Sequence, residues 1–190
     1  MKLLLPILLF LMAGSACAQV DLTVMASESK VMWTGTKVVG SHQGIVSIKE
    51  GKVKLKNQKL AGGYFVIDMT SIACTDIPDS DPIPKKKLEA HLKDEDFFDV
   101  KKYPTARFDI IDVRPHPDNP ARKLVLGNLT IKGITKRWEV EVTPTTQTDK
   151  LFIAQANLNF DRQQFGVAYK GLKDELVHDM VKMNILIKAR

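Results

Sequence analysis

The stretch that decides the fold is Leu88-Glu-Ala-His-Leu-Lys-Asp-Glu-Asp-Phe-Phe-Asp-Val-Lys-Lys-Tyr-Pro-Thr-Ala-Arg-Phe108. It begins with two leucines four residues apart, Leu88 and Leu92, which predict one apolar stripe on a short helix. Pro84 suits the first turn of that helix, so we expect it to cover about 84–93. A Phe-Phe pair and a Tyr-Pro pair follow, and strand character resumes at Thr105.

Most of the remaining sequence alternates between apolar and polar residues, the pattern of half-buried strands. Lys49-Glu50-Gly51 predicts a hairpin turn, and Gly62-Gly63 predicts a bulge or sharp bend. About eight strands, one main helix and no regular exchange of strands with helices predict an all-β, antiparallel domain. Closure into a barrel would remove exposed edges, but periodicity does not choose between a sandwich and a barrel.

The N-terminus has the features of a signal peptide. Lys2 is followed by an apolar run from Leu3 to Met12 and then by Ala16-Cys17-Ala18, so we expect cleavage after residue 18. The mature domain would then be 19–190, exported to the periplasm or secreted. The alternative is a lipoprotein acylated on Cys17, although Gly14 stands where Leu is usual in that motif.

The charged residues argue against a nucleic-acid partner. The chain carries a formal charge of +6, but its basic residues are scattered along strands instead of clustering with aromatic side chains. A mild attraction to anionic lipid or to a pyrophosphate group is the more useful implication. Lys85-Lys86-Lys87 is most simply a solvated helix face, with peripheral contact to a membrane surface as the alternative. After signal cleavage Cys74 would be the single cysteine, expected to be a small buried apolar residue.

The opening stretch closely resembles the H-L-x-x-x-D-F-F-D-V-x-x-Y-P-x-A-x-F signature of the YceI-like, polyisoprenoid-binding family. Further segments resemble other elements of that family in the same order and extend the similarity over nearly the whole mature chain. They are Trp33-Thr-Gly, His42-Gln-Gly, Gly63-Tyr-Phe-Val-Ile-Asp68-Met69, Gly127-Asn-Leu-Thr-Ile-Lys-Gly-Ile-Thr135 and Phe160-Asp161-Arg162-Gln-Gln-Phe165-Gly166.

The resemblance implies a lipocalin-like antiparallel barrel, with the short helix closing or flanking one end. It also implies an interior that holds a long amphiphile, such as an isoprenoid quinone or a polyprenyl phosphate, and no other cofactor. Such a role is physically reasonable, because an apolar tail gains about 25 cal/mol for each square ångström removed from water. Barrels of about eight strands can hold one small ligand.

The candidate ligand-binding residues fall into an aromatic and a polar group. For each aromatic residue the alternative is simple core packing, and for each polar residue it is a structural hydrogen bond. A phosphate or quinone oxygen could accept hydrogen bonds from Arg162 or His91, whereas Asp161 more simply pairs with Arg162 or caps a strand end. The full candidate set is Trp33, Phe65, Phe97, Phe98, Phe108, Phe160, Phe165, His42, His91 and Arg162.

No catalytic or metal site is predicted. The four histidines, His42, His91, His116 and His178, form no H-x-x-x-H pair, and the chain has no G-x-S-x-G or P-loop motif. His42, His91 and His178 could converge on a metal in the folded chain, but they are too far apart in sequence to form a metal-binding motif. Two other functions stay open: an enzyme that uses His91 or His42 on the bound lipid, and an envelope interaction module with a filled barrel. A homodimer formed through the 76–84 loop also stays open.

Overall fold

The computed structural model describes residues 19–171 and 176–190. The predicted signal peptide, including Cys17, therefore lies outside the described residues. Within these two ranges no helix is long and apolar enough to cross a membrane.

The described residues form nine strands, one α-helix and a short 3-10 helix. In chain order they are β1 (Gln19–Thr23), β2 (Lys30–Thr36), β3 (Ser41–Lys56), β4 (Lys59–Cys74), α1 (Pro82–Lys93), β5 (Thr105–Pro115), β6 (Lys123–Ile131), β7 (Ile134–Thr148), β8 (Leu151–Asp161), the 3-10 helix (Arg162–Phe165) and β9 (Met180–Ala189).

Eight of these strands close into an antiparallel barrel. From β3 the order around the ring is β3, β2, β9, β8, β7, β6, β5 and β4, and β4 pairs back onto β3. Every neighbouring pair is antiparallel. The expected all-β barrel with one short helix is thus confirmed.

The extra strand β1 completes one end of the barrel. It pairs with residues 52–56 of β3, whereas β2 pairs with residues 41–46 of the same strand. Beyond β1, Val24 bridges to Ala189 and the Met25 N–H donates to the Lys188 carbonyl, next to where β2 pairs with β9. β1 and β2 therefore act as one interrupted strand between β3 and β9. We call the β1 end of the barrel the lower end, and the α1 end the upper end.

The predicted hairpin at Lys49-Glu50-Gly51 is wrong, because β3 runs straight through these residues. A register shift between Ile48 and Glu50 leaves Lys49 without a partner residue on β4. A Cβ on Gly51 would lie 2.9 Å from Val24 and 3.2 Å from Phe65. This glycine therefore allows close packing and does not make a turn. The actual turn is Asn57-Gln58, both with positive φ. The bulge predicted at Gly62-Gly63 is present as a register shift against Lys54.

Helix α1 lies across the upper end. It begins two residues before the predicted start, with Pro82 in its first turn, and ends at Lys93 as expected. The Glu89 carboxylate accepts the N–H of Cys74 at 2.9 Å, which fastens the helix to the end of β4. Leu88 and Leu92, the predicted apolar stripe, are half-buried and face the barrel interior.

Candidate functional site

The barrel is filled at its lower end and hollow above it. Leu22 of β1 packs with Val53 and Leu55 of β3, and the last two are fully buried, so these side chains close that end of the barrel below the cavity. Above them lies a cavity of about 590 Å³ whose wall is almost entirely apolar. Ligand pockets in proteins commonly measure about 300–1,000 Å³, so this cavity is of the size that holds a ligand.

The structure brings nine of the ten sequence-predicted site residues to the cavity wall. They come from five strands, from α1, from the 3-10 helix and from the segment that follows α1. These nine are Trp33, His42, Phe65, His91, Phe97, Phe98, Phe108, Phe160 and Arg162. Their contact with a ligand stays a prediction.

The tenth predicted residue, Phe165, lies outside the wall. It is fully buried in the 3-10 helix, where its ring centroid is 5.7 Å from that of Phe160 and 5.9 Å from that of Trp138. The strand ends at Asp161, so the alternation that points Phe160 inward does not extend to Phe165. We assign Phe165 to the core behind the cavity.

Small residues beneath large aromatic rings create part of the space. A Cβ on Gly44 would lie 2.5 Å from the Trp33 ring, and a Cβ on Gly127 would lie 2.3 Å from the Phe108 ring. Both distances are far below van der Waals contact, so each ring occupies the space that a side chain at the glycine would need. Three alanines, Ala106, Ala154 and Ala156, also line the cavity and project little into it.

The cavity reaches solvent beside α1. Its lining there includes Pro84 and Lys87, which are both exposed, together with the half-exposed Thr36 at the end of β2. We call this opening the mouth. Within the described part of the chain the Lys87 ammonium has no ion-pair partner, so it is available to an anionic group.

Two histidines at the mouth are each held by a neighbouring side chain. His42 Nδ1 lies 2.8 Å from Asp76 Oδ2, which ties the start of β3 to the loop before α1. Burial tends to raise the pKa of Asp76, but the hydrogen bonds from His42 and from the Gln43 N–H outweigh it and hold that pKa below its usual value. The second histidine, His178, lies with Nδ1 2.9 Å from Thr36 Oγ1.

A third histidine, His91 of α1, sits in an aromatic cluster at the upper end. Its ring meets Tyr169 edge-on with centroids 4.4 Å apart, and Phe97 edge-on at 5.2 Å. Its Nε2 lies 3.1 Å from Asp96 Oδ2. The cluster joins α1 to the segment after the 3-10 helix and covers the part of the cavity next to the mouth.

The Arg162 guanidinium is fully buried and already engaged. Its nitrogens donate to the carbonyls of Val167 at 2.8 Å and of Val177 and His178 at 3.3 Å, and to Asp179 Oδ1 at 3.0 Å. Burial lowers its pKa, and the charge of Asp179 opposes that effect. This geometry favours the structural alternative for Arg162, because few of its donors remain for a ligand.

Asp161 does not pair with Arg162. Its carboxylate instead accepts the N–H of Gln163 at 2.9 Å and caps the 3-10 helix, a structural role that differs from the pairing or strand-end cap expected for it.

Sequence reasoning missed the aliphatic part of the wall. Val, Ile and Leu form the largest group of lining residues, and several of them alternate along the strands in phase with the aromatic residues already singled out. Examples are Ile67 on β4, Ile110 on β5 and Leu158 on β8. Strand parity, applied outward from each aromatic candidate, would have found them. Tyr169 was also missed, and it lies outside any strand, where no periodic signal exists.

The three mouth histidines do not converge. Across residues 19–171 and 176–190 no group of three His, Cys, Asp or Glu side chains could hold a metal ion. Cys74 is buried, and burial together with the charges of Asp76 and Glu89 raises the pKa of its thiol to about 11. It therefore behaves as the small apolar residue that the sequence predicts.

Several solved structures share this architecture. BcnA of Burkholderia cenocepacia matches with a TM-score of 0.71 and 25% sequence identity, covering 88% of this chain and 99% of its own. A polyisoprenoid binding domain from Saccharophagus degradans, implicated in plant cell wall breakdown, matches at 0.64 and 12% identity, over 92% of this chain and 99% of its own. The Campylobacter jejuni YceI protein matches at 0.51 and 18%, over 70% and 74%.

The comparison with curated proteins finds no match. The model of the YceI-like domain, in contrast, matches residues 22–189, which includes all nine strands except the first three residues of β1. The chain therefore belongs to the YceI-like family.

Proposed function

We propose that this protein binds a long-chain amphiphile, such as an isoprenoid quinone or a polyprenyl phosphate, and sequesters or carries it without changing it chemically. The apolar tail would occupy the barrel cavity, and the polar head would lie at the mouth near Lys87. The observation that carries the proposal is the cavity of about 590 Å³, apolar along its wall, with polar groups such as Lys87, His42 and His178 at its mouth.

The energetics support this use. Removal of apolar surface from water yields about 25 cal/mol for each square ångström, and no directed contacts are needed along the tail. The polar groups at the mouth would then fix which end of the ligand enters. The solved polyisoprenoid binding domain from Saccharophagus degradans shares the same barrel, which agrees with the proposal.

The cavity also favours binding over a purely structural role. An interaction module with a filled barrel would place large side chains across the interior, whereas here Ala106, Ala154 and Ala156 line it. An enzyme acting on the lipid would need His42 or His91 as its acid–base group. The carboxylate beside each histidine orients the imidazole equally well for binding or for catalysis, so turnover is the observation that separates the two functions. Catalysis would show as turnover that is lost on His→Ala substitution while affinity is kept.

We also propose that the protein is exported and acts in the periplasm or outside the cell after cleavage behind Ala18. Cell fractionation followed by N-terminal sequencing tests this, and a free N-terminus at Gln19 is the expected result. A lipid-modified Cys17 would instead show that the alternative processing occurs. The homodimer through the 76–84 loop stays a prediction.

The binding experiment is native mass spectrometry with lipid extraction, on protein purified from the exported fraction of its own host. We expect one long-chain amphiphile for each wild-type chain. The Ala156→Phe variant should lose it, because the new ring projects into the cavity. Gln155→Phe is the matched control, since the neighbouring residue of β8 is exposed on the outer face.

The two variants separate cavity binding from surface adsorption. If Ala156→Phe and Gln155→Phe carry equal amounts of lipid, the cavity is not the binding site. If the wild-type protein carries none, and takes up neither quinones nor polyprenyl phosphates when these are offered, the proposal fails.

A further inference from the structure

The most exposed large apolar side chains of the described residues lie beside the cavity mouth. Single exposed apolar residues are ordinary in proteins and need no explanation. Here, however, the three highest values among the large apolar residues belong to Ile83 at 79%, Val39 at 73% and Val38 at 59%. A fourth, Leu176, is 44% exposed.

Three of these residues, Val38, Val39 and Leu176, belong to two segments that are joined through the backbone. The N–H of Val38 donates to the carbonyl of Leu176 at 3.0 Å, so the β2–β3 connection lies against the segment before β9. Three of the four are also next in sequence to a residue that lines the cavity: Val38 follows Lys37, Ile83 precedes Pro84, and Leu176 precedes Val177. We call Val38, Val39, Ile83 and Leu176 the mouth rim.

Basic residues surround the mouth rim. Lys86 and Lys87 lie on the exposed face of α1, and the carbonyl of Lys170 accepts the N–H of Val177, which places Lys170 beside the rim. The acidic residues nearby, in the loop before α1, are largely engaged. Asp76 is bonded to His42, and Asp79 pairs with Lys85 at 2.7 Å, which leaves Asp81 in this loop. Asp174 and Glu175 also precede Leu176 in the sequence. Apolar tips beside the exposed lysines Lys86, Lys87 and Lys170 match the composition of an anionic bilayer surface.

We propose that the mouth rim docks onto a phospholipid bilayer containing anionic lipid, with the valines of the β2–β3 connection entering the interface. In this orientation the cavity faces the membrane, so a tail can pass between bilayer and barrel without crossing water. The inference goes beyond ligand binding, because it concerns where the protein must lie and holds for a barrel with or without its ligand.

The test is flotation of the purified mature protein with vesicles of phosphatidylcholine, with and without phosphatidylglycerol. We expect binding to the vesicles that contain phosphatidylglycerol, weakened by salt. The double variant Val38→Asp/Val39→Asp should bind at least about tenfold more weakly, because it removes two apolar insertions and adds two repelling charges. Lys86→Glu/Lys87→Glu should lose only the preference for the anionic lipid.

The matched control is Ile111→Asp, which introduces a charge at a similarly exposed apolar residue of β5, near the lower end and beside the β3–β4 turn. It should leave vesicle binding unchanged. Equal loss in Ile111→Asp and the rim variant would overturn the inference, and so would absence of wild-type binding to either vesicle. A dimer that dissociates in the rim variant, with no vesicle binding, would assign the rim to a second copy of the chain and also overturn it.

Failure here is distinguishable from failure of ligand binding. The rim variant should keep wild-type affinity for a water-soluble short-chain isoprenoid measured without vesicles, because its substitutions lie outside the cavity wall. If the protein docks onto vesicles but binds no isoprenoid, the proposed function is refuted and the docking inference stands.

Discussion

Replacement of Arg162 by methionine should destabilise the barrel strongly, although methionine keeps most of the apolar stem of the arginine side chain. The change leaves Asp179 without its buried partner and removes the donors from the carbonyls of Val167, Val177 and His178. Loss of one partner from a buried ion pair costs about 3–5 kcal/mol. Asp179 is 46% exposed and can regain water, so we place the cost at the lower end, about 3 kcal/mol. That is a large part of the 5–15 kcal/mol that typically separates folded from unfolded domains.

The assay is urea unfolding followed by the fluorescence of the two tryptophans, Trp33 and Trp138. Arg107→Met is the matched control, because Arg107 also pairs with a carboxylate, Asp109 at 2.7 Å, but the two side chains are 43% and 39% exposed. Exposed pairs contribute up to about 1 kcal/mol. The reasoning is refuted if the two variants lose equal stability. If Arg162→Met keeps its stability but loses affinity for a phosphate-bearing ligand, Arg162 belongs to the ligand site.

Three further predictions concern the reactivity of Cys74, the stability of the protein at acid pH and the depth of the cavity. Burial together with the charges of Asp76 and Glu89 raises the pKa of the Cys74 thiol to about 11, so only about a thousandth of the thiol is thiolate at pH 8. Iodoacetamide should therefore label the native protein slowly at this pH and faster once urea unfolds the chain. Fast labelling of the native protein would contradict this. The lowered pKa of Asp76 means that its contribution to the free energy of unfolding is present above its ordinary value of 3.8 and is lost as the pH falls through the lower folded value. Unfolding measured between about pH 5 and pH 2 should therefore show a smaller acid loss in Asp76→Asn, and an unchanged slope would count against the assignment. The binding free energy of a series of prenyl or alkyl chains, measured by calorimetry, should become more favourable by up to about 0.8 kcal/mol for each added carbon. It should then level off, because the lower end of the barrel is closed. Absence of a plateau would mean that the tail extends out of the barrel.

The sequence was sufficient for the strands but not for all the turns between them. Alternation identified nearly every strand because one face of each is buried, whereas closure of the sheet was expected from the family resemblance. The error at Lys49-Glu50-Gly51 arose because a glycine can serve close packing as well as a turn. The real turn, Asn57-Gln58, places both residues at positive φ, 50° and 61°. Asparagine is typical of that region but glutamine is uncommon there, so only one of the two residues marks the turn in the sequence.

The candidate site was predicted least well where it depends on contacts between distant segments. The wall follows strand parity, so aromatic residues such as Phe65 and Phe108 could be placed before the structure was known. At the mouth, His42 meets Asp76 across 34 positions of sequence, and Thr36 meets His178 across 142. No local pattern records such pairs. The same is true of Arg162, whose burial depends on the path of the 177–179 segment.

The division of the barrel into a filled and a hollow end has an energetic consequence. A void left by large-to-small substitution costs about 24 cal/mol for each cubic ångström, so an apolar space of about 590 Å³ with nothing in it would cost about 14 kcal/mol. That figure lies near the top of the range of about 5–15 kcal/mol for whole domains, so in solution the space should hold either water admitted through the mouth or a ligand. Water molecules inside an apolar barrel make fewer hydrogen bonds than in bulk solvent. When a lipid tail displaces them, they regain those hydrogen bonds in the bulk. Small residues such as Gly44, Gly127 and Ala156 leave space inside the barrel. That space lowers the stability of the unliganded fold and allows a ligand to stabilise the complex.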